Sequence, residues 1–325
     1  MTVFIVRRLM QSVLVVLVVS MILFAGIFAI GNPVDILLPP DATQEDREEA
    51  IQALGLDKPL LIQYGLFLAN AVRGDLGTSF VHNVPSMQLI LHRMNATLEL
   101  ALLALIFAVF IGIPLGMLSG AHPNTLLDRT LMTGSIFGFS IPNFWQGLML
   151  IMVFSVFLRW LPSTGRGETG TILGIETSLA TWDGIQHMIM PALNLSLYKI
   201  SMVMRLTRAS MRETLPMDFV KFARAKGLTG RRIIFVHVLK NIMLPIITVI
   251  GMELGSLIAF GVVTETIFAW PGMGKLLIDS INVLDRPVIV AWLMIVVLLF
   301  ISINLLVDII YSVLDPRIRL SDVKS

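Results

Sequence analysis

Apolar and polar positions fall along this chain in long blocks. Six apolar runs cover about residues 9–30, 97–118, 131–157, 187–206, 241–263 and 288–314. Each is about as long as the roughly 20 residues a helix needs to cross a hydrocarbon layer of about 30 Å. The pattern predicts an all-α integral membrane protein with six transmembrane helices. Arg7 and Arg8 precede the first run. That run is longer than the apolar part of a secretory leader, and Gly31-Asn32-Pro33 is a poor cleavage site, so it reads as a retained span. An even number of spans puts the N- and C-termini on one side, and the flanking arginines make that side cytoplasmic.

The interruptions within the runs carry more information than the runs. Gly112, Pro114 and Gly116 lie late in the second run, where small residues allow close helix packing and a proline loosens one backbone bond. The third run is broken by SIPNFWQG, Ser140 to Gly147. Pro142 removes a backbone donor there, and Asn143 and Gln146 require partners in a low-dielectric interior. This break reads either as a packing kink or as a place of solute contact. Lys199, Glu253, Asn304 and Asp308 sit inside the later runs. Such groups are costly unless they pair or face water.

Between the first two runs, residues 31–95 form a long outer region with Pro33, Pro39 and Pro40. An acidic helix is predicted from Thr43 to Leu54, with Thr43 as N-cap, Asp46 three residues on and Gly55 as its stop. A second helix follows Asp57-Lys58-Pro59 toward Val72. GDLGTSF, beginning at Gly74, marks a turn, as does LPSTGRGETG after the third run.

The densest charge lies between the fourth and fifth runs. From Arg205 to Lys240 there are nine basic side chains against only Glu213 and Asp218. A short loop this basic stays on the cytoplasmic side. Its middle, Asp218 to Lys226, contains no Gly or Pro and predicts a helix with Phe219, Phe222, Ala223 and Lys226 on one side, ended by Gly227. A second short helical run follows from Arg231 to Leu239. The segment reads either as a solvated basic loop against lipid headgroups or as a docking surface for a cytoplasmic partner.

Composition agrees with the pattern. The 325 residues are 56% hydrophobic and 14% charged, with a net charge of +2. A soluble domain carries roughly 25% charge. With no cysteine, disulfides and thiolate metal sites are excluded. No phosphate loop, zinc-binding HExxH or GxSxG nucleophile turn occurs, and the five histidines show no ligand spacing. No catalytic, cofactor or metal residues are therefore assigned, and no cofactor is expected. Transport fits six broken spans. Lys199, Glu253 and Asp308 leave open a standalone ion-coupled carrier, while the basic segment favours a machine driven by a partner.

Several segments in order resemble the permeases of binding-protein-dependent ABC importers, in particular the dipeptide, oligopeptide and nickel group. They are LGLDKPLLIQY at Leu54, GDLGTSF at Gly74, SIPNFWQG at Ser140, LPSTGRG at Leu161, DFVKFARAKGL at Asp218, HVLKNIMLP at His237, TETIFAWPGMGKLLIDSI at Thr264 and LDPRIRL at Leu314. The resemblance covers nearly the whole chain and implies a type I ABC importer permease fold. Asp218, Lys221, Phe222, Ala223, Arg224, Ala225, Lys226, Gly227 and His237 would then form the ATPase-coupling loop. The wider superfamily usually has Glu where Lys221 stands and Ala where Phe222 stands. Asn143, Gln146, Glu253, Glu265, Trp270, Pro271 and Gly272 are the candidates for the path or its gate, with Trp270 alternatively a headgroup anchor and Glu265 a local cap. Leu284-Asp285-Arg286-Pro287 departs from the family's usual Arg-Asp-aromatic-Pro.

The resemblance also implies an assembly in a bacterial inner membrane. Its parts would be a second homologous permease subunit, two cytoplasmic ATP-binding subunits and a periplasmic or lipid-anchored solute-binding protein. The solute would be a di- or oligopeptide, with glutathione, nickel or opine-like compounds as alternatives and no nucleic acid. The chain divides on this reading into residues 1–30, the outer region 31–95, a core 96–314 with the coupling loop at 209–240, and a tail 315–325.

Overall fold

The computed structural model describes residues 2–29, 43–53 and 57–314. The expectations for Gly31 to Pro40, Gly55 and the tail after Leu314 lie outside these residues. The described chain is helical apart from one small hairpin. Its helices are α1 (Thr2–Ala29), α2 (Gln44–Ala53), α3 (Leu60–Val72), α4 (Ser86–Ala121), α5 (Leu126–Ser140), α6 (Asn143–Phe157), α7 (Trp182–Thr214), α8 (Asp218–Ala225), α9 (Gly230–Phe260), α10 (Val262–Ile267), α11 (Met273–Asn282) and α12 (Arg286–Leu314). Two compact units are distinguishable, one of residues 2–94 with 276–301 and one of residues 95–275 with 302–314.

In the first unit, α2 starts with the predicted reciprocal cap. Asp46 N donates to Thr43 Oγ1 at 3.2 Å, and Thr43 N donates to Asp46 Oδ2 at 2.9 Å. Helix α3 packs on α1 through the Phe24 and Tyr64 rings, 5.4 Å apart, with Ser20 Oγ and Tyr64 Oη hydrogen-bonded at 2.8 Å. GDLGTSF forms its turn with positive φ at Gly74 and Gly77. The Asp285 carboxylate lies over that turn, accepting from Ser79 Oγ and from Phe80 N at 3.1 Å. The departure at Leu284 to Pro287 thus sits against a turn that was read separately.

The second unit is built on α7, whose buried positions recur along its whole length. Gly112, Gly116 and Gly120 of α4 bring that helix against it. A Cβ at Gly116 would stand 2.5 Å from Met204 O, and one at Gly120 would stand 2.5 Å from Met211 Cβ. The small residues are what permits this approach. On α5, Gly138 meets Ser201 of α7 in the same way.

Among the described residues, four helices, α1, α4, α9 and α12, are long and apolar enough to cross a membrane, and α5 with α6 form a pair bent by 105°. That differs from six equivalent apolar runs. Helix α7 has 33 residues, ample length, but carries Asn194, Ser196, Lys199, Ser201 and Thr207. Asn194, Ser196, Ser201 and Thr207 are buried. A helix surrounded by protein need not be apolar, so hydropathy alone does not mark it.

Two further differences concern the connections. LPSTGRGETG leads into β1 (Gly170–Ile172) and β2 (Ile175–Thr177), an antiparallel hairpin with Ile172 opposite Ile175. Leu173 and Gly174 both have positive φ, as a two-residue hairpin turn requires. The run predicted as a separate helix from Arg231 to Leu239 is instead the beginning of α9. No Gly or Pro separates it from the span, and Ile233–Val238 is a π-helical turn that keeps the chain helical.

Candidate functional site

Helices α5, α6, α7 and α9 border a half-open cavity of about 480 Å³. Three residues singled out in the sequence, Asn143, Gln146 and Glu253, line it, joined by Asn194, Lys199 and Ser256. Lys199 Nζ is hydrogen-bonded and ion-paired to Glu253 Oε2. It also donates to Ser256 Oγ at 2.8 Å, and Ser256 Oγ donates to Glu253 Oε2 at 2.7 Å. The two isolated charges of the sequence therefore form one pair in the cavity wall. Pairing is what makes either tolerable at this depth.

The bend between α5 and α6 has a local cause. Pro142 has no N–H to offer Gly138 O, the acceptor one helical turn back. Gln146 Nε2 supplies the donor instead, at 3.2 Å. Beyond the bend, Asn143 Nδ2 and Asn194 Nδ2 both donate to Thr264 Oγ1, at 3.1 and 2.9 Å. The amide oxygens of both asparagines are buried without a hydrogen-bond partner. Packing kink and cavity wall are thus one feature.

Glu265, Trp270, Pro271 and Gly272 are not among the residues lining this cavity. They belong to a buried turn beside it. Thr97 Oγ1 donates to Glu265 Oε1 at 2.7 Å and accepts from Met273 N at 2.8 Å, while Lys275 N donates to Glu265 Oε2 at 3.0 Å. A Cβ on Gly272 would stand 2.4 Å from this carboxyl, so any larger residue there must displace it. Burial pushes the Glu265 carboxyl up to about 6 despite the donors around it. Trp270 is fully buried, with Nε1 donating to Ala96 O at 2.9 Å. This corrects the reading of Trp270 as a headgroup anchor: its N–H is committed to a backbone carbonyl.

The basic segment is more ordered than a loop. Helix α8 buries Val220 and Ala223 against Ile233, Val238 and Ile242 of α9. Phe222 is 62% exposed and Phe219 37%. The face predicted to carry Phe219, Phe222 and Ala223 together is therefore split: the small and β-branched residues face inward and both rings face outward. Lys226 Nζ lies 4.6 Å from the Phe222 ring centroid. Lys221 pairs with Asp218 at the surface. The helix stops in a Schellman turn, with Gly227 N donating to Arg224 O, Leu228 N donating to Ala223 O and Gly227 at φ +76°. His237 lies in the π-helical turn beneath α8, its carbonyl accepting from Asn241 Nδ2.

Three of the nine basic residues, Arg205, Arg208 and Arg212, belong to α7, and the first two are already engaged. Arg208 Nε and Nη2 donate to Asp128 Oδ1 and Oδ2 at 2.6 and 2.9 Å. Ser119 Oγ and Asn124 N donate to the same carboxylate, so the ends of α4, α5 and α7 converge there. Arg205 lies 4.5 Å from the Phe139 ring centroid. Sequence reasoning missed Glu99, which accepts from Arg166, Thr177 and Ser178 and anchors the hairpin segment. Its signal was a carboxylate inside an apolar run. Asn194 and Ser256 gave no such signal.

Residues 112–320 match the family described as binding-protein-dependent transport system inner membrane component, and residues 1–101 match the N-terminal membrane component of the same kind of system. The dipeptide transport system permease protein DppB of Escherichia coli (strain K12) is 40% identical, over 97% of this chain and 98% of the relative. The oligopeptide transport system permease protein AppB of Bacillus subtilis (strain 168) is 40% identical over 98% and 100%. The glutathione transport system permease protein GsiC of Escherichia coli O6:H1 is 36% identical over 97% and 98%. Among solved structures, the inward-facing MetNI methionine ABC transporter is similar in fold, with a TM-score of 0.54 at 17% identity over 70% of this chain and 97% of that one. From the full length of these matches, the chain is a member of the binding-protein-dependent transport system inner membrane component family.

Proposed function

We propose that this chain is one transmembrane subunit of an ATP-driven importer of small peptides. It is a multi-pass membrane protein, and α7 is its remaining span, shielded from lipid by α4, α5 and α9. Both termini lie on the cytoplasmic side, with α8. A paralogous permease completes the path, two ATP-binding subunits dock at α8, and a solute-binding protein delivers cargo to the outer face. The observation carrying this reading is 40% identity, over nearly the whole chain, to permeases named for dipeptides and oligopeptides.

The geometry supports the docking role of α8. Two exposed phenylalanines and several cations project from a helix whose inner face is packed on α9. A solvated loop has no need of such a fixed platform. Energy supplied there shifts the population of access states and requires no bond chemistry in this chain.

The test is co-purification. The tagged chain is isolated in mild detergent beside Gly227→Pro, which cannot adopt φ +76°. ATP-binding subunits and ATP hydrolysis are expected with the parent chain and are lost in the variant. Uptake by the chain alone under an ion gradient would refute the importer reading.

A further inference from the structure

The cavity wall contains one full positive and one full negative charge in contact, Lys199 and Glu253, with side chains only 13% and 20% exposed. Beside them are two buried amide oxygens without donors, on Asn143 and Asn194. Asn194 is itself 1% exposed. We infer that this constellation binds the two charged ends of a zwitterionic solute: Lys199 takes a free carboxylate and Glu253 a free ammonium. This deepens the proposed importer function and rests on it.

The argument is one of exchange. Separating a partly buried ion pair leaves two uncompensated charges, which is strongly unfavourable. A solute with a single charge satisfies one partner and strands the other. A solute with both charges replaces each partner in one step, so the pair admits zwitterions and rejects ions of either sign. Ser256, which touches both members, remains as a hydrogen-bond partner for whichever end is displaced.

Size agrees. Two extended residues reach roughly 7 Å, and the cavity of about 480 Å³ accommodates them. Lys199 sits on a flexible four-carbon stem and Glu253 on a separate helix, so their charged ends can move apart. The amide oxygens of Asn143 and Asn194 are acceptors just beneath the cavity surface, and a turn of either side chain presents one to the peptide N–H or the ammonium. Interior N–H groups in a solute would meet the need these oxygens now leave unmet.

The experiment uses the whole importer reconstituted in vesicles with its receptor, with dialanine as probe. Uptake and receptor-stimulated ATP hydrolysis are measured together for the parent, Lys199→Met, Glu253→Gln and the neutral double variant. Uptake is expected to fall by about tenfold or more in all three, with assembly of each variant verified by the amount of ATP-binding subunit it retains. A pair that merely joins α7 to α9 is repaired by neutralising both members, because no charge is then stranded. Restored uptake in the double variant would therefore overturn the assignment.

If the double variant does not assemble, the parent importer decides. N-acetyl-dialanine amide and free dialanine are compared at equal receptor occupancy, established in a separate titration. Transport of the blocked peptide at least about tenfold slower is expected, and equal rates reject the inference. Absence of receptor-stimulated hydrolysis in the parent would instead refute the importer function itself.

Discussion

Arg208 holds Asp128 through two hydrogen bonds, closing a buried junction where the ends of α4, α5 and α7 meet just before α8. Asp128→Asn leaves the guanidinium without its counter-charge. The expected loss is on the order of 3 kcal/mol, seen as a lower unfolding midpoint of the purified chain. Arg208→Lys loses the two-point geometry and is expected to be destabilised too. Asp128→Asn with Arg208→Met is expected to recover part of the loss. An additive double variant would show that the two residues are not coupled.

Gly116→Val places a branched side chain where a Cβ already stands 2.5 Å from Met204 O and 2.6 Å from Thr207 Cβ. Since one contact is backbone, no side-chain rotation relieves it. The variant is expected to lose about 1–3 kcal/mol or fail to accumulate. Gly134→Ala, where nothing lies within 4 Å, is the control and should be neutral or slightly stabilising. Yield and unfolding midpoint are the readouts.

Gly227→Ala meets no neighbour but must hold φ +76°. The strain costs about 1–2 kcal/mol, enough to loosen the end of α8 while leaving its outward face intact. The retained amount of ATP-binding subunit per permease is expected to drop several-fold, less than for Gly227→Pro. Unchanged retention would mean that the Schellman turn does not position the docking surface.

Glu265 supplies a pH signature. Its carboxyl is raised from 4.5 to about 6 by burial, so the folded chain binds this proton more tightly than the unfolded one. The associated stability is fully present below about pH 4.5 and is lost as pH rises through about 6. The span is about 2 kcal/mol at most. The unfolding midpoint should therefore fall between pH 5 and pH 7.5, and Glu265→Gln should flatten that fall. An equally steep fall in the variant assigns the dependence elsewhere.

The elements were legible where a single local rule decides them. Thr43 and Asp46 announced a cap, Gly227 announced a helix stop, and Gly112 with Gly116 announced a close approach. What depended on distant partners was not legible. Lys199 and Glu253 each stood out as a costly charge, but a pair 54 positions apart leaves no trace in linear spacing. Helix α7 was read from the run at 187–206, but its polar side chains are buried in protein and it lacks the apolarity of α1, α4, α9 and α12. On α8, helical spacing put Phe219, Phe222, Ala223 and Lys226 on one side, whereas the structure buries Val220 with Ala223 against α9 and leaves both rings exposed. Pro142 predicted a break, and only the fold revealed that Gln146 takes over the lost donor.

The unbroken course of α9 from the basic segment to the cavity has a mechanical meaning. Glu253 stands about 35 Å along the axis from Gly230 at 1.5 Å per residue. A tilt of about 10° about that base carries the carboxylate sideways by about 6 Å, more than the reach of an ion pair. Residues Ile233, Val238 and Ile242, on which α8 packs, and Glu253, which meets Lys199, therefore ride on one continuous rod, so that a tilt of its base and a displacement of the charge contact are the same motion.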